Sequence, residues 1–128
     1  MINVVCALIF DEAGRVLGCR RPAGKAHAGK WEFPGGKIEN GESAEAALAR
    51  EIEEELGCSL SIGAAMTVVT HHYDDVSINL QPFRCTLMSG EVQLLEHAEV
   101  RWLALEECGG LEWVEADVPI WQSLLAEK

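Results

Sequence analysis

The 128-residue sequence is short of positive charge, of long apolar runs and of paired cysteines. Each shortage removes a class of function. Ten Lys and Arg stand against 21 Asp and Glu, a formal charge of −11. A protein that tracks the backbone of DNA or RNA needs a basic stripe that releases counterions, so a nucleic-acid polymer is not an expected partner. A small phosphorylated ligand remains open, provided that metal ions stand between its charges and the acids. The longest apolar run, "VVCALIF" from Val4 to Phe10, is far below the roughly twenty residues of a membrane helix. The first residues lack a basic start and a small-residue cleavage site, so a cytoplasmic protein without membrane contact is expected.

Five cysteines, Cys6, Cys19, Cys58, Cys85 and Cys108, are odd in number, scattered and without a C-x-x-C pair. They read as small buried residues of a reducing compartment, and neither a disulfide framework nor a zinc site is suggested. The four histidines give no better metal case, because adjacent His71 and His72 would point to opposite faces of a strand.

What is present is the usage of a globular chain, 48% apolar and 24% charged, at a length suited to one domain spanning 1–128. No internal repeat, low-complexity segment or linker interrupts it. "INVVCALIF" and "RVLGCRR", separated by the turn-forming "DEAG", predict a hairpin over residues 2–20. After a Pro- and Gly-containing loop, "WEF" reads as a short strand stopped by a bend at "PGG". Ser43 offers an N-cap hydroxyl to a helix from about Ala44 to Leu56, and Gly57 is its stop. Leu48, Ile52 and Leu56 give that helix an apolar stripe. "SLSIGAAMTVVTHHY" and "VSINLQPFRCTLM" read as strands joined at Asp74-Asp75, with Pro82 marking an edge or a bulge. "AEVRWLAL" is a further strand and "DVPIWQSLLAEK" a closing helix. The order describes an α/β fold, a mixed sheet flanked by helices.

One stretch resists a purely structural account. Glu51, Glu53, Glu54 and Glu55 fall within five consecutive helical residues. Glu51, Glu54 and Glu55, at i, i+3 and i+4, share one face. Like charges so spaced cost about 0.2–0.5 kcal/mol per pair, and acids in a last turn oppose the helix dipole. Divalent cations reverse that sign, since Mg²⁺ or Mn²⁺ takes carboxylate oxygens and bridges to phosphates. The bland alternative is a solvated acidic face, and charge alone does not decide between them.

Spacing adds to charge. Gly36, five residues, Glu42, seven residues, then Arg50-Glu51-Ile52-x-Glu54-Glu55-x-Gly57 resembles the Nudix hydrolase signature G-x5-E-x7-R-E-U-x-E-E-x-G-U, with U aliphatic. Only the last position departs, where Cys58 replaces an aliphatic. "RRPAGKAHAGKWEFPGGKIENGE" is similar to the lead-in of the MutT-type branch.

The resemblance implies a Nudix-type α/β/α sandwich and Mg²⁺- or Mn²⁺-dependent hydrolysis of a nucleoside triphosphate to monophosphate and pyrophosphate. Oxidised purine and cytosine nucleotides are the main substrate candidates; no arginine lies between Asp74 and Leu80 to serve an oxidised guanine. It implies that Glu51, Glu54 and Glu55, with the Gly35 carbonyl, hold the metal. Glu96, six positions before Trp102, joins them or activates water, with Glu99 as its rival. Arg50 is expected to orient a neighbouring carboxylate, such as Glu54 at i+4, and Glu42 to brace the loop against the helix. Arg21 and Lys37 are the cationic partners of a polyphosphate, and His27 has a family counterpart. Asp117 lies where the branch reads the base edge, though it would equally serve as an N-cap. Phe33 lines the base pocket or simply packs. A hydrolase of another nucleoside diphosphate-linked compound, and a non-catalytic nucleotide sensor, are the alternatives. Monomer and homodimer are both open.

Overall fold

The computed structural model describes residues 1–127. Eight strands form one mixed sheet. Strand β1 (Ile2–Phe10) lies at its centre, parallel to β7 (Ser77–Ser89) along one whole edge, from Ile2↔Ile78 to Phe10↔Thr86. Its other edge is divided. Strand β2 (Val16–Arg20) pairs at Phe10↔Val16, while β4 (Gly35–Lys37) takes Val4 to Cys6. Strands β3 (Trp31–Glu32) and β8 (Glu99–Leu103) pair β2, and β5 (Ser59–Ala65) and β6 (Val69–His72) pair β7.

Strand β1 is apolar from Val4 to Phe10 because both of its faces are covered there. Val5, Ala7 and Ile9 pack with Ala47, Leu48, Ile52 and Leu56 of helix α1 (Ala44–Leu56). Cys6 and Leu8 pack on the opposite face with Ile120 and Leu124 of helix α2 (Val118–Ala126). Alternation along one strand thus produces two cores and an α/β/α sandwich. No helix of the described residues is long and apolar enough to cross a membrane.

Helix α1 forms where its residues predict. The Ser43 hydroxyl accepts from Ala46 N–H at 3.1 Å, and Gly57 closes it in the left-handed region at φ 62°. Burial of Leu48, Ile52 and Leu56 at 0% exposure contributes roughly 1.5–3 kcal/mol per side chain, which outweighs the repulsion among its acids. Core packing can therefore hold a poor electrostatic arrangement in place.

Three expectations are corrected. Gly35 and Gly36 are not a bend but the start of β4, paired to Cys6 and Val5. They must be glycine because of crowding: a Cβ on Gly35 would lie 2.0 Å from the Val5 carbonyl oxygen, and one on Gly36 would lie 2.5 Å from Glu51 Cδ. The stretch after α1 is two strands rather than one, interrupted between Ala65 and Val69. Pro82 lies neither on an edge strand nor in a simple bulge. It is buried in interior β7 where the partner changes from β5 to β6, and its carbonyl accepts from Met66 N–H at 2.9 Å. A missing N–H is tolerated there because the ladder is already broken.

The two glycines differ in consequence. Gly36→Ala is expected to fold, since the obstructing carboxylate can swing away, but to displace Glu51 and, if activity depends on where that carboxylate stands, to lower turnover roughly 10–100-fold. Gly35→Ala meets backbone and is expected to lose the native fold. Thermal melts and kcat on the two variants separate these outcomes.

Candidate active site

The acids of α1 are brought to a cavity of about 200 Å³ at the divided edge of β1. Glu51, Glu54 and Glu55 line it together with Gly35, Glu96, Arg21, Glu32 and His97. Exposure grades across the helix face, the side chains of Glu54, Glu51 and Glu55 being 54%, 18% and 7% exposed. Glu55 Oε2 is buried without a hydrogen-bond partner. Burial, and then the charges of Glu32, Glu51 and Glu96, push the Glu55 carboxyl up to about 9.

Arg50 organises the helix face through more partners than its expected one. Its Nε and Nη2 donate to the two oxygens of Glu42 at 2.7 and 2.9 Å, and Nη1 donates to Glu51 at 2.8 Å. The Glu54 contact is the longest of the Arg50 hydrogen bonds, 3.5 Å. A further donation, Nη2 to the Lys37 carbonyl at 3.1 Å, ties the helix to β4. Glu42 also accepts from Glu39 N–H at 3.0 Å. The Arg50 guanidinium holds the Glu42 carboxyl down at about 2. Pairing favours the loop carboxylate because a bidentate fork is geometrically better than the i+4 contact.

Glu96 enters from a loop pinned at both ends. Gln93 N–H donates to the Leu56 carbonyl left open at the end of α1, at 2.8 Å, and Ala98 N–H donates to Arg20 O at 2.9 Å. Its rival Glu99 lies on β8, paired with Arg20 at 3.2 Å and Arg101 at 2.9 Å, and does not line the cavity. Those arginines hold its carboxyl below the usual range.

Two site residues were not legible in the sequence. Glu32 accepts both bonds of a fork from Arg21 Nη1, at 3.0 and 3.1 Å, and lies 2.9 Å from His97 Nε2. His97 Nε2 is also 3.5 Å from Glu55. Glu32, Glu55 and His97 form a group with metal-ligand spacing, so the dismissal of the histidines on the evidence of His71 and His72 does not extend to His97. The adjacency Glu96-His97 and the position of Glu32 before Phe33 were the available signals.

Arg21 and Glu32 also line both pockets beside the acidic cavity. The deeper one, about 160 Å³, is lined by Phe33, Lys37, Val114 and Asp117 among others. The wider one, about 630 Å³, is lined by His27, Lys37 and Tyr73. His27 adopts a positive φ of 58° and its ring centroid lies 5.1 Å from that of Tyr73. Phe33 is buried and tilted against Trp113 at 4.9 Å.

Asp117 stands at the start of α2 but makes no capping hydrogen bond. Its carboxylate turns inward and accepts from Phe33 N–H at 2.7 Å. Phe33 lies where the chain passes from β3 to β4, so its N–H lacks a ladder partner. Burial, and then Glu32, push the Asp117 carboxyl up to about 8, against the lowering effect of the Phe33 bond and Arg21.

The NUDIX domain matches residues 1–122. The chain belongs to the Nudix family. It is 37% identical to the CTP pyrophosphohydrolase of Escherichia coli (strain K12), covering 98% of this chain and 93% of that protein. Against the putative 8-oxo-dGTP diphosphatase 2 of Mycobacterium tuberculosis (strain ATCC 25618 / H37Rv) it is 38% identical, over 91% and 84%. The crystal structure of a MutT protein from Methanosarcina mazei Go1 superposes with a TM-score of 0.88 at 31% identity, over 98% and 94% of the two chains. Sequence and fold thus agree on a Nudix hydrolase of the MutT type.

Proposed function

We propose that this Nudix chain hydrolyses nucleoside triphosphates to the monophosphate and pyrophosphate with Mg²⁺ or Mn²⁺, and that its preferred base carries a cytosine-type edge. The observation that supports this best is the continuity of three features: an acidic cavity, the Arg21–Glu32 pair and a pocket closed by Asp117.

The donor set fits a divalent cation. Carboxylates of Glu51, Glu54, Glu55 and Glu96 and the Gly35 carbonyl are hard oxygen donors, and the unpartnered buried Oε2 of Glu55 is an atom that a cation would satisfy. Once bound, such an ion neutralises phosphate charge and makes a bound water acidic. Glu96 takes the proton of the attacking water, and Arg50 keeps Glu51 in place. Arg21 and Lys37 draw the polyphosphate toward the cavity mouth. Water oxygen bonds to the β-phosphorus as the bond from that phosphorus to the α-bridging oxygen breaks, and the monophosphate leaves with that oxygen.

The base preference rests on Asp117. A carboxyl that keeps its proton near neutral pH offers a donor beside an acceptor, matching cytosine N3 and its N4 amino group. The name of the Escherichia coli relative agrees with this choice.

Two measurements test the reading. Pyrophosphate release across CTP, dCTP, 5-methyl-dCTP, dGTP and 8-oxo-dGTP with Mg²⁺ is expected to favour the cytosine compounds; a preference for 8-oxo-dGTP would overturn the base assignment. Hydrolysis in ¹⁸O-water is expected to label pyrophosphate and leave the monophosphate unlabelled. Label in the monophosphate would place attack at the α-phosphorus instead.

A further inference from the structure

His97 stands out among the residues around the acidic cavity because it is buried and placed between two acids from different elements. Its side chain is 4% exposed. Nε2 lies 2.9 Å from Glu32 Oε2 on β3 and 3.5 Å from Glu55 Oε1 in the last turn of α1. One N–H cannot donate fully to both, so the shorter contact to Glu32 is the hydrogen bond and Glu55 is held alongside it. Nδ1 is buried with no partner.

An orphaned buried nitrogen costs stability, so packing alone would favour an apolar side chain here. The benefit lies in what Glu32 does next. Both of its oxygens also accept from Arg21 Nη1, and Arg21 Nε donates to Ala26 O at 2.6 Å. A continuous chain therefore runs from Glu55 through His97 and Glu32 to Arg21. The imidazole keeps the Glu32 and Glu55 carboxyl groups, from two different elements, at a fixed separation, and its loop is anchored on either side by the Gln93 and Ala98 backbone bonds.

We propose that His97 is a positioning residue that sets Glu55 and the Arg21–Glu32 pair in register, so that a cation held at α1 and a phosphate drawn by Arg21 meet at the same place. This rests on the reading that α1 holds a divalent cation. It assigns His97 no contact with the reacting atoms.

The test uses His97→Gln, which keeps a donor of similar reach, and His97→Leu, which keeps volume without one. The first arm is metal-free and follows the Arg21 Nε–H resonance and its solvent exchange. The second titrates Mn²⁺ directly by electron paramagnetic resonance. His97→Leu is expected to speed Arg21 Nε–H exchange at least tenfold and to weaken Mn²⁺ binding by a similar factor, while His97→Gln stays within about threefold of the parent on both. In a double-mutant cycle with Glu32→Gln the losses of His97→Leu should be strongly non-additive, because both changes break the same link to Arg21. Unchanged exchange or unchanged Mn²⁺ affinity in a folded His97→Leu variant overturns the proposal, as does equal loss in both variants. If His97→Leu fails to fold, His97→Asn, whose shorter amide cannot span to Glu32, replaces it on both arms, and parent-like exchange and Mn²⁺ affinity there refute the proposal. A parent that binds no Mn²⁺ would sink the metal reading, and the Arg21 arm would still decide the link through Glu32.

Discussion

Glu55→Gln is expected to lose roughly 10³-fold in kcat while melting at a higher temperature than the parent in the absence of metal. The activity loss follows from the several kcal/mol that metal-held charge stabilisation supplies, each 1.36 kcal/mol being tenfold in rate. The stability gain follows from burial. Glu55 is 6% exposed and faces Glu32, Glu51 and Glu96, which is why its carboxyl rises to about 9. In the unfolded chain the same group titrates near about 4.3. Between those two values the folded protein holds a proton that the unfolded chain has released, so this group makes stability fall as pH rises across that window. An amide has no such dependence, and the metal-free melting curve of the variant should be flatter from pH 5 to 8.

Divalent metal should invert the ranking. A ligand at a hundred times its Kd stabilises the folded state by about 2.7 kcal/mol, on the order of 10 °C for a domain of this size. Mn²⁺ is therefore expected to raise the parent's melting temperature well above that of Glu55→Gln. Melts at several pH values, with and without Mn²⁺, check both halves. A variant that keeps near-parent turnover would remove Glu55 from the metal site.

How much of this was legible in the sequence differs by level. The helix from Ala44 to Leu56 was readable because its cap, stripe and stop are local signals. The acid face was readable because helical spacing is rigid. The start of β4 was not, since Gly-Gly usually marks a turn, and here glycine is demanded by the approach of Val5 and Glu51, which are distant in sequence. Arg50 was assigned to the i+4 acid because helix spacing makes Glu54 its local neighbour. Its better partner, Glu42, lies in a loop whose position only the fold determines. Glu32 and His97 were hidden for the same reason: each acquires its meaning from residues brought to it by the sheet, Arg21 from the edge of β2 and Glu55 from α1. Local propensity places elements, whereas the pairing of charges across elements follows from topology.

Asp117 shows that difference in one residue, and its substitution should separate three roles. As a helix cap, Asp117→Ala would cost about 0.5–2 kcal/mol of stability and leave base preference alone. The observed side chain makes no cap bond and instead accepts from Phe33 N–H, so Asp117→Ala is expected both to loosen the β3–β4 junction and to flatten the kcat/KM ratio between cytosine and guanine triphosphates, by roughly 10–100-fold. Asp117→Asn isolates the base-reading part. Its amide oxygen can still accept from Phe33, and its NH₂ supplies permanently the donor that a protonated carboxyl supplies below about pH 8. The parent's preference for cytosine is therefore expected to decline as pH rises through about 8, because the ionised carboxylate offers only acceptors. Asp117→Asn should keep that preference across the same range. If instead the amide reverses selectivity at pH 7, the parent carboxyl is ionised when substrate binds, and the base it favours is one that presents two donors, as the guanine edge does.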